Sequence, residues 1–197
     1  MSALTSLLAR DGVVSVRTIE QALQQQVIRG GDVETILLEM GAIAENVLAG
    51  YQAALHERRG ATREQVMGVP PEVIALVPAE VAIERSLVPL ALEGRRLVVA
   101  VREPLSDEAR GQLEFLLGHE VVERIACEPR LMAALAHHYG APIAPRMARL
   151  IGKLLGRDPG VLPEADIEIG RLSGHAIEIP IKRTRPSRRF LLEPAPP

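Results

Sequence analysis

Residues 4–55 read LTSLLARDGVVSVRTIEQALQQQVIRGGDVETILLEMGAIAENVLAGYQAAL, and this stretch contains one pattern twice. In each copy a short apolar helix is followed by a glycine, Gly12 or Gly41, and then by a second helix. Glycine is typical of helix ends because it adopts a left-handed backbone without Cβ strain. Short helices are marginal alone in water, so we expect a small helical bundle over 1–60. The doubled helix-Gly-helix unit indicates a recognition module rather than an enzyme.

The next part of the chain predicts an α+β subdomain over 61–140. A polar segment with glycines, 58–68, is interpreted as the linker or boundary before it. Two β-rich runs flank Glu93-Gly94-Arg95 and predict a hairpin. Helices are predicted at 71–76, 79–85, 106–117 and 130–139, and a third strand at 121–127. The order α-α-β-β-α-β-α gives a compact three-stranded subdomain.

Residues 141–197 form a Pro-rich basic tail in this interpretation. Residues 146–157 (RMARLIGKLLGR) predict a short basic amphipathic helix. Residues 176–181 fit an edge strand, because Pro180 is incompatible with a central one. The basic run at 182–189 and the end of the chain are expected to be disordered.

Composition excludes several classes of function. The net charge is −2 and aromatic residues make up 2%, so neither bulk charge nor stacking favours nucleic acid. The single cysteine, Cys127, excludes a disulfide within the chain, and we expect it on the third strand as a small core residue. His137 and His138 are adjacent on a helix and point to different sides. We therefore predict no metal ion and no catalytic residue.

The sequence also predicts where the protein works. No apolar run approaches the roughly 20 residues that cross a bilayer, and the first residues lack a leader pattern. We therefore expect a cytoplasmic protein that is not integral to the membrane and reaches the inner membrane only through a partner. On the predicted helices, Val27 and Leu116 are expected to face inward.

Several motifs in the second half resemble a known family. They are Val77-Pro78, Val88-Pro89-Leu90, Leu97-Val98-Val99-Ala100, Pro104, Phe115-Leu116-Leu117-Gly118 and Tyr139-Gly140. With the doubled glycine motif, they make residues 3–140 resemble the N-terminal (GspE N-terminal or MshEN) domain of type II secretion and type IV pilus assembly ATPases. An ATPase needs G-x-x-x-x-G-K-[ST], but Gly152-Lys153 is followed by Leu154. ATP hydrolysis by these residues is therefore not expected.

The resemblance also implies a ligand, because this family's N-domain can bind cyclic di-GMP through a doubled motif. In that motif Arg supplies donors to phosphate or guanine, Gly lets the ligand approach the backbone, and apolar residues shield it. The candidate binding residues carried over, with Arg10 added as a replacement arginine, are Leu4, Leu8, Arg10, Gly12, Val13, Leu23, Gln26, Leu37, Gly41, Ile43 and Leu48. The competing interpretations are helix termination for Gly12 and Gly41 and solvation for Arg10 and Gln26.

The chain departs from this motif at ligand-facing positions. Ala3 and Asp32 stand where arginine is expected, Thr5 and Glu34 where the first glycine is expected, and Gln52 and Leu55 where leucine and glutamine are expected. Asp32 and Glu34 would repel a dianion. We therefore expect no obligatory cofactor, with cyclic di-GMP as the one ligand to test.

Three hypotheses on function remain open at this stage. The first is a non-catalytic module that docks on a secretion or pilus motor, a platform protein or a signalling protein. The second is a cyclic di-GMP receptor. The third is weak nucleic-acid binding through 182–189, which is short and lacks aromatic residues, so no stable nucleic-acid partner is expected.

Overall fold

The computed structural model describes residues 2–156, so the predictions made for 157–197 lie outside the described residues. The first helices are α1 (Ala3–Arg10), α2 (Val16–Arg29), α3 (Val33–Glu39) and α4 (Glu45–Leu55). They are followed by β1 (Arg59–Gly60), α5 (Arg63–Met67), α6 (Pro71–Ile74), α7 (Ala79–Glu84), β2 (Leu87–Glu93), β3 (Arg96–Val101), α8 (Asp107–Leu117), β4 (Glu120–Ile125), α9 (Glu128–Tyr139) and α10 (Pro145–Leu154).

Helices α1 to α4 pack around their own hydrophobic core, as the repeat predicts. Ser2 and Ser15 cap α1 and α2 by accepting hydrogen bonds from backbone N–H groups in the first turn. The buried residues of this N-terminal cluster are Leu4, Leu8, Val14, Ile19, Ala22, Val33, Ile36, Leu37, Leu38, Ile43, Leu48 and Leu150. Val27, expected to face inward, is instead 88% exposed, and the buried residues of α2 are Ile19 and Ala22.

The rest of the described chain is built on one sheet with strand order β1-β4-β3-β2. Strands β2 and β3 form the predicted antiparallel hairpin around Gly94, whose φ of 65° suits a tight turn. Strands β3 and β4 are parallel and are connected through α8. The α+β class is confirmed. The sheet has four strands rather than the expected three, since the two-residue β1 was missed.

The segment 58–68 is folded, so its interpretation as a linker is wrong. Strand β1 pairs in parallel with β4 through Arg59 and Gly60. Helix α5 begins with a capping box between Thr62 and Gln65, and Val66 is fully buried in the sheet cluster.

Two residues occupy places that the sequence did not predict. Cys127 lies after β4, at the N-cap of α9, rather than on the strand, although it is fully buried as expected. Leu116 was expected inside but is 61% exposed, whereas Leu117 packs on the sheet cluster.

Helix α10 belongs to the folded body rather than to a tail. It begins at Pro145 and ends at Leu154, close to the predicted 146–157. Its Leu150 is 3% exposed and lies in the N-terminal cluster. Burial of one leucine contributes roughly 1.5–3 kcal/mol, so α10 is held on the helical bundle. The division into 1–60, 61–140 and 141–197 stays a prediction.

Candidate functional site

The residues predicted to bind a ligand divide into buried and accessible side chains. The buried ones belong to the N-terminal cluster and are Leu4, Leu8, Leu37, Ile43 and Leu48. Val13 and Leu23 are partly buried against the same cluster. These apolar side chains are used in packing. The more accessible members are Arg10, Gly12, Gln26 and Gly41.

The two motif glycines end their helices with the same backbone geometry. Both Gly12 and Gly41 have a φ of 68°, which favours glycine. A Cβ at Gly12 would have no atom within 4 Å, whereas at Gly41 it would lie 3.7 Å from Lys153 Nζ. The first loop is therefore open, and the second is covered by α10.

The accessible polar members of the motif make local contacts. Arg10 Nε donates to Asp11 Oδ1 at 2.8 Å, and this hydrogen bond lowers the pKa of the Asp11 carboxyl. The Tyr51 hydroxyl donates to Asp11 Oδ2 at 3.2 Å. Gln26 Nε2 donates to the carbonyl oxygen of Gly31 at 2.8 Å. These contacts are those of a surface ion pair and a helix-end loop.

Basic side chains of α10 hold it on the ends of α2 and α3. Arg146 donates to both carboxylate oxygens of Glu39, at 2.6 and 2.8 Å. It also donates to the carbonyl oxygens of Arg29 and Gly30, at 3.2 and 3.0 Å. Lys153 Nζ donates to the Glu39 carbonyl oxygen at 2.8 Å. Cations are favourable at the carbonyl ends of helices. The basic residues along 146–157 were the sequence signal for these contacts of α10.

A buried ion network around Glu45 connects the helical bundle to the sheet-containing part. The Glu45 carboxylate accepts a hydrogen bond from Arg130 Nε at 2.9 Å and also pairs with Arg63. Arg130 Nη1 donates to the carbonyl oxygen of Ala61 at 2.5 Å. The Cys127 thiol donates to the same carboxylate, and burial raises its pKa. A buried thiol with a raised pKa is a poor nucleophile, so this network is structural.

A small solvent-open recess, with a volume of about 10 Å³ that admits a water-sized group, lies where α3 and α4 meet the start of α9. We call it the junction recess. It is lined by Asp32, Glu34, Thr35, Leu38, Leu48, Gln52, Arg102, Cys127, Glu128 and Pro129. Arg102 Nη1 donates to Asp32 Oδ2 at 2.6 Å, and Thr35 Oγ1 donates to Glu128 Oε2 at 2.8 Å.

The junction recess carries excess negative charge and an unpaired acceptor. Burial and the neighbouring Asp32 carboxylate raise the pKa of Glu34. Gln52 is 9% exposed, and its Oε1 has no hydrogen-bond partner among residues 2–156. A buried acceptor without a partner is rare in folded proteins. The departure of Gln52 from the leucine of the motif was the sequence signal for this feature.

Helix α8 presents two neighbouring large apolar side chains to solvent. Phe115 is 93% exposed and Leu116 is 61% exposed at its last turn. Gly111 lies one turn before Phe115, and a Cβ built there would meet no atom within 4 Å. We call the outward side of this helix, formed by Glu108, Gly111, Gln112, Phe115 and Leu116, the α8 surface.

Two further findings concern metal binding and membrane-spanning helices. Within residues 2–156, no group of three or more His, Cys, Asp or Glu side chains is arranged to hold a metal ion. None of the helices in the described range is both long enough and apolar enough to cross a membrane.

Comparison with known proteins shows similarity to one domain family and to bacterial pilus assembly ATPases. Residues 63–145 match the MshEN domain model. The type IV pilus assembly ATPase PilB of Myxococcus xanthus (strain DK1622) is 30% identical over 180 residues, which cover 90% of this chain and 31% of PilB. PilB of Thermus thermophilus is 30% identical over 141 residues, covering 68% of this chain and 16% of that protein. The chain thus spans less than a third of the length of these relatives.

One further relative and one solved structure are also similar to this chain. Bacteriophage adsorption protein B of Escherichia coli (strain K12) is 27% identical over 138 residues, covering 69% of this chain and 18% of that protein. The structure of MshE with cdg has a TM-score of 0.54 and 24% identity, and covers 71% of this chain and all (100%) of MshE in that structure. The matched fold and domain confirm the resemblance seen in the sequence. The chain carries an MshEN domain over residues 63–145, as expected from its resemblance to the N-terminal domain of type II secretion and type IV pilus assembly ATPases.

Proposed function

We propose that this chain is a non-catalytic interaction module that docks on a protein of a pilus or secretion machine, or on a signalling protein linked to one. The location that goes with this proposal is the cytoplasmic face of the inner membrane, reached through that partner. The observation that carries the proposal is the α8 surface, where Phe115 is 93% exposed next to Leu116. Large exposed apolar groups that lie together mark interaction sites.

An aromatic anchor on a helix fits protein docking better than small-molecule binding. Phe115 stands beside the open backbone of Gly111, so a partner has space to approach the helix closely. Aromatic side chains carry much of the binding energy in protein interfaces. The chain has only two phenylalanines and no tryptophan, so the exposed ring of Phe115 is a specific feature.

Charge on α8 indicates the chemistry of the partner. Arg110 turns toward the sheet, where its Nε donates to Glu123 at 3.1 Å. The exposed carboxylates are those of Asp107, which pairs with Arg110 at 3.2 Å, and Glu108. Complementary charge favours association and the correct orientation. The partner is therefore a protein with an apolar pocket surrounded by lysine or arginine.

The sequence and one of the relatives agree with a role without catalysis. The P-loop pattern is absent from the 197 residues. Among the relatives, adsorption protein B is not named for an ATPase activity. A domain that recurs beside different functions is suited to recognition.

The test measures binding of the purified full chain to purified pilus or secretion motor and platform proteins from the same cell. Phe115→Ser is expected to weaken binding about thirtyfold, the effect of losing about 2 kcal/mol at an interface anchor. Val27→Ser is the matched control, since it removes an exposed apolar side chain on α2. Equal affinity of Phe115→Ser and the wild type would contradict docking through α8.

A second candidate function, reception of cyclic di-GMP, is favoured by one specific observation. Helix α10 brings Arg146 within 3.4 Å of a Cβ position at Gly31, and Lys153 within 3.7 Å of one at Gly41. These cations are suited to phosphate where the motif arginines are missing. The MshE structure named above holds cdg, and that ligand motivates the experiment.

Calorimetry of the full chain with cyclic di-GMP tests this second function. Binding is expected to fall strongly in Lys153→Ala and to persist in Arg96→Ala, whose side chain pairs with Glu120 on the sheet. A flat titration up to high micromolar ligand rejects the receptor hypothesis and leaves the docking proposal untouched.

A further inference from the structure

Three departures of the second motif copy from its family pattern lie in one place. Asp32 stands at an arginine position, Glu34 at a glycine position and Gln52 at a leucine position. All three side chains line the junction recess. A surface on which the resemblance expects a cation therefore carries two carboxylates and an amide.

Hydrogen-bond acceptors exceed donors in the junction recess. Glu128 accepts from Thr35 through Oε2, while its Oε1 is 3.9 Å from Arg102, beyond hydrogen-bonding distance. Arg102 is the one guanidinium among the lining residues, and it donates to Asp32. Glu34 adds a further carboxylate. A ligand that suits this site brings positive charge and N–H donors.

The buried side-chain amide of Gln52 has an oxygen that lacks a hydrogen-bond donor among the described residues. Gln52 Oε1 has no partner within residues 2–156, although the residue is 9% exposed. Leucine at this position would pack beside Leu38 and Leu48 without leaving an acceptor unpaired. Stability alone therefore does not account for glutamine here.

We propose that the junction recess receives the primary ammonium group of a lysine side chain presented by the docking partner. This inference rests on the proposed docking function, because it needs a partner protein. An ammonium group is compact and has three donors, which suit Gln52, Glu128 and Glu34. Arginine fits less well, because its planar guanidinium is larger than the water-sized space in the recess. The lysine also agrees with the basic partner inferred from the α8 surface.

The experiment uses n-butylammonium chloride as the probe and the ¹⁵N-labelled full chain as the receptor. Saturable shifts are expected at the amide signals of Thr35, Gln52 and Glu128. The matched controls are 1-butanol, which has the same carbon chain without charge, and n-butylguanidinium, which is charged but larger. Neither control is expected to give saturable shifts at these residues.

Two variants test the named contacts. Gln52→Leu is expected to weaken butylammonium binding about tenfold, the loss of one hydrogen bond to a charged group. Its urea midpoint should equal or exceed that of the wild type, since the unpaired acceptor is gone. Glu34→Gln should weaken binding as well. Gln24→Leu is the control, because it removes an exposed glutamine on α2, away from both proposed sites.

Each result separates this inference from the docking proposal. Equal shifts with butanol, or unchanged butylammonium binding by Gln52→Leu, overturn the ammonium site and indicate that the recess takes only water. Loss of partner binding in Phe115→Ser but not in Gln52→Leu also overturns it, while docking stands. Specific butylammonium binding that Gln52→Leu abolishes supports the site even if Phe115→Ser leaves partner binding unchanged.

Discussion

Glu45→Gln is expected to destabilise the chain by about 3 kcal/mol, because it removes the only carboxylate at the centre of a buried network within residues 2–156. Glu45 is 8% exposed and accepts a hydrogen bond from Arg130, which is 9% exposed. Arg63 pairs with the same carboxylate. The substitution keeps the shape of the side chain and removes its charge.

The magnitude follows from what remains after the substitution. Arg130 keeps its hydrogen bond to Ala61 but loses its counter-charge. Breaking a buried ion pair by removing one partner costs roughly 3–5 kcal/mol. The side chain of Arg63 is 32% exposed and regains part of its hydration. The expected loss of stability therefore lies at the lower end of that range. Repulsion from Arg130 already contributes to lowering the pKa of Arg63, after burial.

Urea unfolding at pH 7, followed by far-ultraviolet circular dichroism, measures this loss. The matched control is Glu120→Gln, since the Glu120–Arg96 pair is about two-thirds exposed on both sides, at 66% and 65%. Exposed pairs contribute no more than about 1 kcal/mol. If Glu45→Gln shifts the unfolding free energy no more than Glu120→Gln does, the network does not stabilise the junction between the bundle and the sheet.

Three other substitutions test separate parts of the structure. Arg146→Ala should release α10, which hydrogen exchange detects as faster exchange in 145–154, while Arg149→Ala, an exposed position, should not. Gly12→Ala should cost about 1 kcal/mol by denaturation, from backbone strain alone, since its Cβ meets no atom. Burial lowers the pKa of His138, so protons bind the unfolded chain first as the pH falls below about 6.5. The free energy of unfolding should therefore decrease from pH 7 toward the folded pKa, and His138→Gln should reduce this decrease.

The local elements were predictable because their signals are local. Gly94 between two β-rich runs gave the hairpin, and Gly118 and Gly140 marked the ends of α8 and α9. The repeat predicted the helical bundle, because its apolar residues recur with helical spacing. Helix α5 carried a readable capping box at Thr62 that was overlooked in favour of the polar composition of 58–68.

The sites were not predictable because distant residues form them. Strand β1 has two residues, and its pairing with β4 joins Arg59 to Arg124. Helix α10 was assigned to a tail, since only the folded chain shows Arg146 on Glu39. The junction recess combines residues of α3 and α4 with Arg102 and Glu128. Their spacing in the sequence does not predict that these residues lie close together in the fold.

The second motif copy separates packing from recognition. Leu37, Ile43 and Leu48 remain in the hydrophobic core, where replacement by a smaller side chain costs roughly 2–5 kcal/mol. The departures Asp32 and Gln52 fall instead on the recess, where an unpaired acceptor costs roughly 1–3 kcal/mol. Loss of an anion site alone would call for no buried polar group, because an apolar residue fills the position at lower cost. A cationic group from a partner supplies the missing donor, and this makes charge reversal at the recess a better account of the sequence than simple decay of a nucleotide site.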